Sequence, residues 1–492
     1  MAAILSGHVR CAKLAWPEGR FAVDTLPRGL GLDADAPIAQ RLAEFTHAVR
    51  AENIPADVIA QAKRHLLDCL GIALASSGFE FGVRTATAIA GLAGDGEHPV
   101  IGLAIRLPLR DAVLVNGTFI HGLDYDDTHS DAVVHASASA VPTALHMARA
   151  HRATGLEALA AYVLGVEASA RIGAAAQGGF HQVGFHPTGM VGAFGAALTA
   201  GRLAGATPRQ MQAAQGIVLS MAAGSLEFLA DGSWTKRIHP GWAGVAGITA
   251  TALARGGFKG PPRPYEGRFG LFASHLQERA PADLSRCAAH LGEVWEMRNV
   301  ALKPYPCCHF NHAFADAALA LRAAHGLRPE EIARITCRIH EGQVKVVCEP
   351  EAAKRAPANS YEAQFSVHYA VCAALVRGRF GLDDLEEEAI QDPEILSLMA
   401  RTGYETDPTS RFPRYYGGEV VVELRDGRVL RHREEMNRGS DGNPLSQADV
   451  ERKFLDNARR VLSAARAQQV LDLAMTLDRA PGTEALTDAL SG

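Results

Sequence analysis

The sequence has no C-x-x-C pair. Its eight cysteines are scattered over 492 residues, and only Cys307 and Cys308 are adjacent. That spacing excludes a disulfide framework and the recognised structural zinc patterns, and it fits reduced thiols in the cytoplasm. Blocks of one charge are missing as well. The 49 basic and 54 acidic residues are interspersed to a formal net charge of -5, so no nucleic-acid partner is expected. Long hydrophobic runs are also absent. The apolar start, 1–7, is interrupted by His8, Arg10 and Lys13 and is too short for a signal-peptide core. The small-residue run 188–201 falls short of a membrane span, so no membrane partner is expected. No glycine-rich loop follows a strand pattern and no G-x-S-x-G elbow occurs, which excludes P-loop, dinucleotide and serine-hydrolase readings.

What is present is helix. Residues 1–36 are punctuated by Pro17 and Pro27 and read as an irregular arm. Helical periodicity then runs through 38–51, 56–75, 83–92, 107–121, 139–149 and 155–172. Pro55 opens the second of these, and Gly78 lies beyond its end. Thr207-Pro208 caps and starts a further helix through 221. Strand signals wait until the last 200 residues: 333–340, 343–348, and a hairpin over 419–430 turning at Asp426-Gly427. Helices are expected between them at 314–324 and 366–376, and a last one at 446–475 begins at Ser446. The fold class is mainly α: a large all-helical region, 37–299 and 439–492, with a smaller α+β insert, 300–438.

Four clusters concentrate titratable side chains. The first, 121–131, holds His121, Asp124, Asp126, Asp127, Thr128 and His129, with His135 just beyond. If the preceding apolar helix continues, His121, Asp124 and Thr128 share one face, as an active-site wall requires; a solvated helix end has the same composition. The second sets His186 before Pro187 and a Gly/Ala helix, near free backbone N–H groups that suit an anion. The third, 231–241, gathers Lys236, Arg237 and His239 in a cationic loop beside Trp234, able to bind a carboxylate or phosphate. The fourth, 303–312, packs Lys303, Tyr305, Cys307, Cys308, His309 and His312 into the expected domain join, where ligand clefts are favoured. Asp124, Asp127, His129 and His135 could serve a metal, but their spacing matches no recognised ligand motif.

These clusters, in this order, resemble the MmgE/PrpD family, which includes 2-methylcitrate dehydratase, cis-aconitate decarboxylase and iminodisuccinate epimerase. The resemblance rests on 121–128, 186–189, 236–241 with the small-residue run 243–257, and 303–308. It also rests on the segment 439–454, with Asn443-Pro444-Leu445 and Lys453-Phe454. It implies a helical domain built from both chain ends, an inserted α+β lid, a homodimer, and a lyase that needs no cofactor or metal. It places Asp124, Thr128, His135, His186 and Lys236 in the catalytic cleft, with Tyr369 of the lid nearby. Where the decarboxylases carry a histidine at the lid join, a gap-free count lands on Cys308, next to His309.

Such enzymes make or quench a carbanion beside a carboxylate, which calls for cations, a base and an acid. Lys236, supported by Arg237 or His239, is expected to bind carboxylate. His135 and His186 are expected as base and acid, Asp124 to orient an imidazole or tune its pKa, and Thr128 as a substrate hydrogen-bond partner. The expected substrate is a small di- or tricarboxylate, dehydrated or decarboxylated. The same machinery could instead epimerise an iminodisuccinate-like dicarboxylate, or survive as an inactive carboxylate-binding protein.

Overall fold

The computed structural model describes residue 33 and residues 35–492, so the expected arm, 1–36, lies almost wholly outside the described residues. Helix accounts for 57% of the structure and strand for 9%, which makes the fold mainly α. The expected helices form with shifted ends. Ala56–Ser77 follows Pro55 and stops at Gly78. Pro208–Val218 opens with a full capping box between Thr207 and Gln210. The expected helix 446–475 is two, Gln447–Ala458 and Ala464–Met475. Ser446 caps the first, and Ser463 accepts from the Arg466 N–H to start the second.

Gly155–Ala175 is long and apolar enough to cross a bilayer, and its most apolar window is entirely buried within the protein. It packs against Pro187–Leu203, and Pro187–Leu203 packs against Thr235–Arg255, which also lies along Leu109–His121. Small residues set these distances. A Cβ on Gly117 would lie 2.6 Å from the Gly241 Cα, and one on Gly195 would lie 2.5 Å from the Gly165 carbonyl oxygen. Backbones therefore touch, and three helix ends meet: the C-terminus at His121 and the N-termini at His186 and Lys236.

One hydrophobic core draws on residues 38–302 and 445–490. A second draws on 305–424, with Phe228. The second surrounds a four-stranded sheet in the order Thr402–Thr406, Ile332–Ile339, Gly418–Leu424, Val429–Glu434. Its first pair is parallel and the others antiparallel. Gly427, at φ 89°, makes the expected hairpin turn. The segment 343–348, expected as a strand, is instead the helix Glu341–Val347. His340 caps it, and Val344 and Val347 turn inward together with Gln343. Burial of one helical face overrides the β-propensity of its valines. The edge position beside Ile332–Ile339 goes to Thr402–Thr406.

Candidate active site

The acidic cluster does not continue the helix before it. Leu109–His121 ends at Gly122, Asp124 adopts a left-handed conformation at φ 50°, and Thr128–His129 pairs with Val300–Ala301. An aspartate tolerates this conformation better than most residues, and here it turns the carboxylate toward two lysines. Lys236 Nζ donates to Asp124 Oδ1 at 2.6 Å. Lys303 Nζ donates to the Asp124 carbonyl at 2.8 Å and lies 3.2 Å from the same Oδ1. Burial alone would raise the Asp124 carboxyl, but Lys236 and Lys303 outweigh it and hold the group well below its ordinary range. Burial would lower Lys303, yet Asp124 and Asp126 hold it above an ordinary lysine. The cationic loop expected over 231–241 is largely helix: Lys236, Arg237 and His239 sit in the first turns of Thr235–Arg255.

Three imidazoles face this ion cluster. Ring centroids lie 4.7 Å apart for His121 and His135, 5.5 Å for His121 and His186, and 6.0 Å for His135 and His186. Each ring has its Nδ1 engaged. His121 Nδ1 is 2.7 Å from Asp126 Oδ2, His135 Nδ1 donates to the Asp127 carbonyl at 2.7 Å, and His186 Nδ1 is 2.9 Å from His239 Nδ1. A carbonyl only accepts, so His135 carries its proton on Nδ1 and leaves the Nε2 lone pair free. An ionised Asp126 fixes the same tautomer on His121, whose buried Nε2 has no partner. Burial keeps all three rings neutral: His135 falls to about 3, and His121 and His186 fall well below the usual histidine value. Burial pushes Asp126 up to about 6. Asp127 faces away, toward His65 Nδ1 at 2.8 Å and the Ser137 hydroxyl, which also meets Tyr162.

The expected roles shift accordingly. Asp124 pairs with lysines, and its charge raises His121 against the effect of burial; Asp126 is the carboxylate that orients an imidazole. Thr128 Oγ1 reaches His135 Nδ1 at 3.4 Å. His186 is the N-cap residue of Pro187–Leu203, and its side chain makes no capping bond. Arg237 lies over the rings of Phe81, at 4.2 Å, and Trp234, at 5.2 Å. Among the described residues it has no carboxylate partner, and burial lowers it to about 10. It lines a cavity of about 560 Å³ with Phe81, Trp234, Tyr361 and Gln364. His239 is lowered to about 4 by burial.

Cys308 and His309 lie at the edge of this site. Burial raises the Cys308 thiol to about 11, helped by Asp124, and burial lowers His309, helped by Lys303 and His135. The Asn437 amide donates to His309 Nε2 at 2.8 Å. Tyr369 is not brought to the site. Its ring is fully buried in the second core and its hydroxyl donates to the Asp384 carbonyl. His129, weighed with Asp127 as a metal ligand, instead meets Glu296 at 3.0 Å.

Sequence reasoning gave no role to Lys303, although its motif was singled out, and none to Lys354 or Tyr361. Phe365 carries the Lys236 ammonium at 5.6 Å and the Lys354 ammonium at 5.9 Å from its ring centroid. The Tyr361 hydroxyl is buried without a partner. Neither Lys354 nor Tyr361 stands in a motif, so only the folded chain points to them.

A mainly helical protein with buried ammonium groups and neutral imidazoles gathered at three helix ends is equipped for proton transfer beside an anionic substrate. The chain belongs to the MmgE/PrpD family. The family's N-terminal domain matches residues 40–283 and its C-terminal domain matches residues 305–479. Among similar proteins are cis-aconitate decarboxylases. The one from Homo sapiens is 30% identical over 470 residues, covering 92% of this chain and 95% of its own. The one from Mus musculus is 27% identical over 474 residues, covering 92% and 93%. The one from Aspergillus terreus is 24% identical over 481 residues, covering 93% and 97%. Family and relatives together point to a lyase of the decarboxylase or dehydratase type.

Proposed function

We propose that the protein is a cofactor-independent lyase that decarboxylates or dehydrates a small di- or tricarboxylate by proton transfer next to a carboxylate. The observation that carries this reading is the pairing of a cation surplus with imidazoles, two of which, His121 and His135, keep Nε2 free. Lys236 and Lys303 share one carboxylate, Asp124, and Arg237 has none among the described residues. An incoming dianion meets this positive surplus in a water-poor site, where electrostatic stabilisation is strongest. Lys236 and Arg237 hold the substrate's carboxylates, and Thr128 supplies a hydrogen bond.

In decarboxylation the C–C bond to one carboxylate breaks, carbon dioxide leaves, and the electron pair stays on carbon until an imidazolium delivers a proton. In dehydration a free Nε2 removes the proton beside the carboxylate, and a second imidazole protonates the departing hydroxyl. His135 and His186 fill these roles, with His121 within reach of both. Neutral imidazoles suit the base role in the empty site. Two substrate carboxylates raise their basicity and make one of them an acid. The second core, 305–424, then acts as a lid whose Lys354 and Tyr361 close over the substrate. We expect the working form to be a cytoplasmic homodimer.

The test is proton NMR in D2O of 2-methylcitrate, citrate, cis-aconitate and iminodisuccinate, each with the protein, with and without chelator. Loss of carbon dioxide or water, indifferent to chelator, supports the lyase. Deuterium entering a stereocentre with no net loss of mass replaces it with the epimerase. Silence across the panel overturns the substrate class.

A further inference from the structure

We propose that His121, His135 and His186 form a binding site for one divalent transition-metal ion of the zinc type, and that its occupancy switches the protein off. One nitrogen from each ring can be chosen so that all three lie within 4.8 Å of one another. The rings come from three segments: the end of Leu109–His121, the loop before Ser137–His151, and the cap of Pro187–Leu203.

Two features mark a built donor set. The Nδ1 of His121 faces Asp126 and that of His135 donates to the Asp127 carbonyl, which leaves Nε2 of both as the free ring nitrogen, while His186 Nδ1 shares a hydrogen bond with His239 Nδ1. Histidine ligands of metal ions are held by outer partners of the kind that His121 and His135 have, a carboxylate or carbonyl on the second nitrogen. His121 Nε2 is buried and unpartnered, a lone pair with nothing to accept.

Tetrahedral zinc, with Zn–N of about 2.0–2.1 Å, needs nitrogens roughly 3.4 Å apart. Binding would therefore draw the three rings inward from their spacing in the empty site. Three histidines leave a coordination position for solvent or a carboxylate. The ammonium groups of Lys236 and Lys303 oppose a cation, but Asp124 lies against both and Asp126 sits directly behind His121. Such charges favour a reversible trap over a permanently filled site. A bound ion ties up the lone pairs that proton transfer uses, so it inhibits. The inhibitory half of the proposal rests on the lyase reading; the binding half does not.

The experiment separates the two. Chelator-treated full-length protein is titrated with Co²⁺ and its visible spectrum recorded. One equivalent should bring up the intense d–d bands of a tetrahedral nitrogen site, and Zn²⁺ should abolish them. His121→Asn, His135→Gln and His186→Gln, each checked for folding by circular dichroism, should each weaken binding by at least about tenfold. Asp126→Asn should weaken it about 10–100-fold. A featureless or octahedral spectrum in the unaltered protein, or binding indifferent to all three histidine changes, overturns the site. If Zn²⁺ binds but turnover of the substrate identified by NMR is unaffected, the inhibitory half falls. If no panel substrate turns over, the function reading fails while the Co²⁺ result still decides the site.

Discussion

Lys236 Nζ stands 2.6 Å from Asp124 Oδ1, inside a site where Lys303 competes for the same oxygen. The two residues are 112 positions apart in the chain. Under the proposed function the pair is an ion reserve: a substrate carboxylate takes Lys236 while Lys303 keeps Asp124 neutralised. Lys236→Ala should therefore lower kcat/KM by about 10²–10³ or more, the scale of losing one preorganised charge donor. Circular dichroism should remain that of the unaltered protein. A folded variant of full activity would remove Lys236 from the mechanism.

The tautomer of His121 depends on Asp126. With Asp126 near a pKa of about 6, protonation below that pH replaces an acceptor with a donor at His121 Nδ1. The kcat/KM profile should fall as pH drops through about 6 with a one-proton limb. In Asp126→Asn the overall rate should be lower and that limb should vanish. A limb that persists unchanged in the variant would place it on another group.

Acid should also destabilise the fold, and the sign can be worked out. His135 titrates at about 3 and His239 at about 4 in the folded protein, with His121 and His186 depressed as well. In the unfolded chain each binds a proton near 6.5. Between these values the unfolded state holds more protons, so stability is lost as pH falls from about 6.5. Asp126 at about 6 and Glu167 at about 7 act in the opposite sense, because their folded forms bind protons first. The depressed histidines outnumber them. A net excess of one proton is worth about 1.4 kcal/mol per pH unit. Urea midpoints should be lower at pH 5 than at pH 7.5; equal or higher midpoints would contradict the buried-histidine account.

Much of this site was legible in the sequence because its residues cluster in short motifs at helix ends. His186 before a proline-initiated small-residue helix reads directly as an N-cap, and Pro187–Leu203 bears that out. Roles inside a cluster were not legible. Asp124, Asp126 and Asp127 are near-neighbours with three different partners: lysines, His121, and His65 with Ser137. The left-handed turn at Asp124 divides them, and no residue pattern announces it. The strand expected over 343–348 failed for a related reason. Its valines suit a strand locally, but the folded chain offers a helical groove for Val344 and Val347.

Tyr369 supplies a contrasting test. Its hydroxyl donates to the Asp384 carbonyl within the second core, away from the lysine and histidine cluster. Tyr369→Phe should cost about 1 kcal/mol of stability, the net value of one buried hydrogen bond. Turnover should stay within about twofold. A loss of a hundredfold or more with the fold intact would bring Tyr369 back to the site through a movement of the second core.

Lys453, from the Gln447–Ala458 helix, ties the C-terminal segment to the loop that carries Asp124 and Asp126. Its ammonium lies 2.6 Å from Asp68 Oδ1 and donates to the Tyr125 and Lys303 carbonyls at 3.0 and 2.7 Å. Tyr125 sits between Asp124 and Asp126, so this one group fixes the backbone of both halves of the ion cluster. Burial raises Asp68 and lowers Lys453, the mark of a pair that burial penalises and mutual attraction holds. Lys453→Met strands the Asp68 carboxyl and should cost about 3–5 kcal/mol. The double variant Lys453→Met with Asp68→Leu removes the stranded charge and should recover most of that stability. It should not recover turnover, because the two carbonyls stay unheld and Lys303 loses its register on Asp124. Recovery of both stability and kcat would show that Lys453 serves the fold alone.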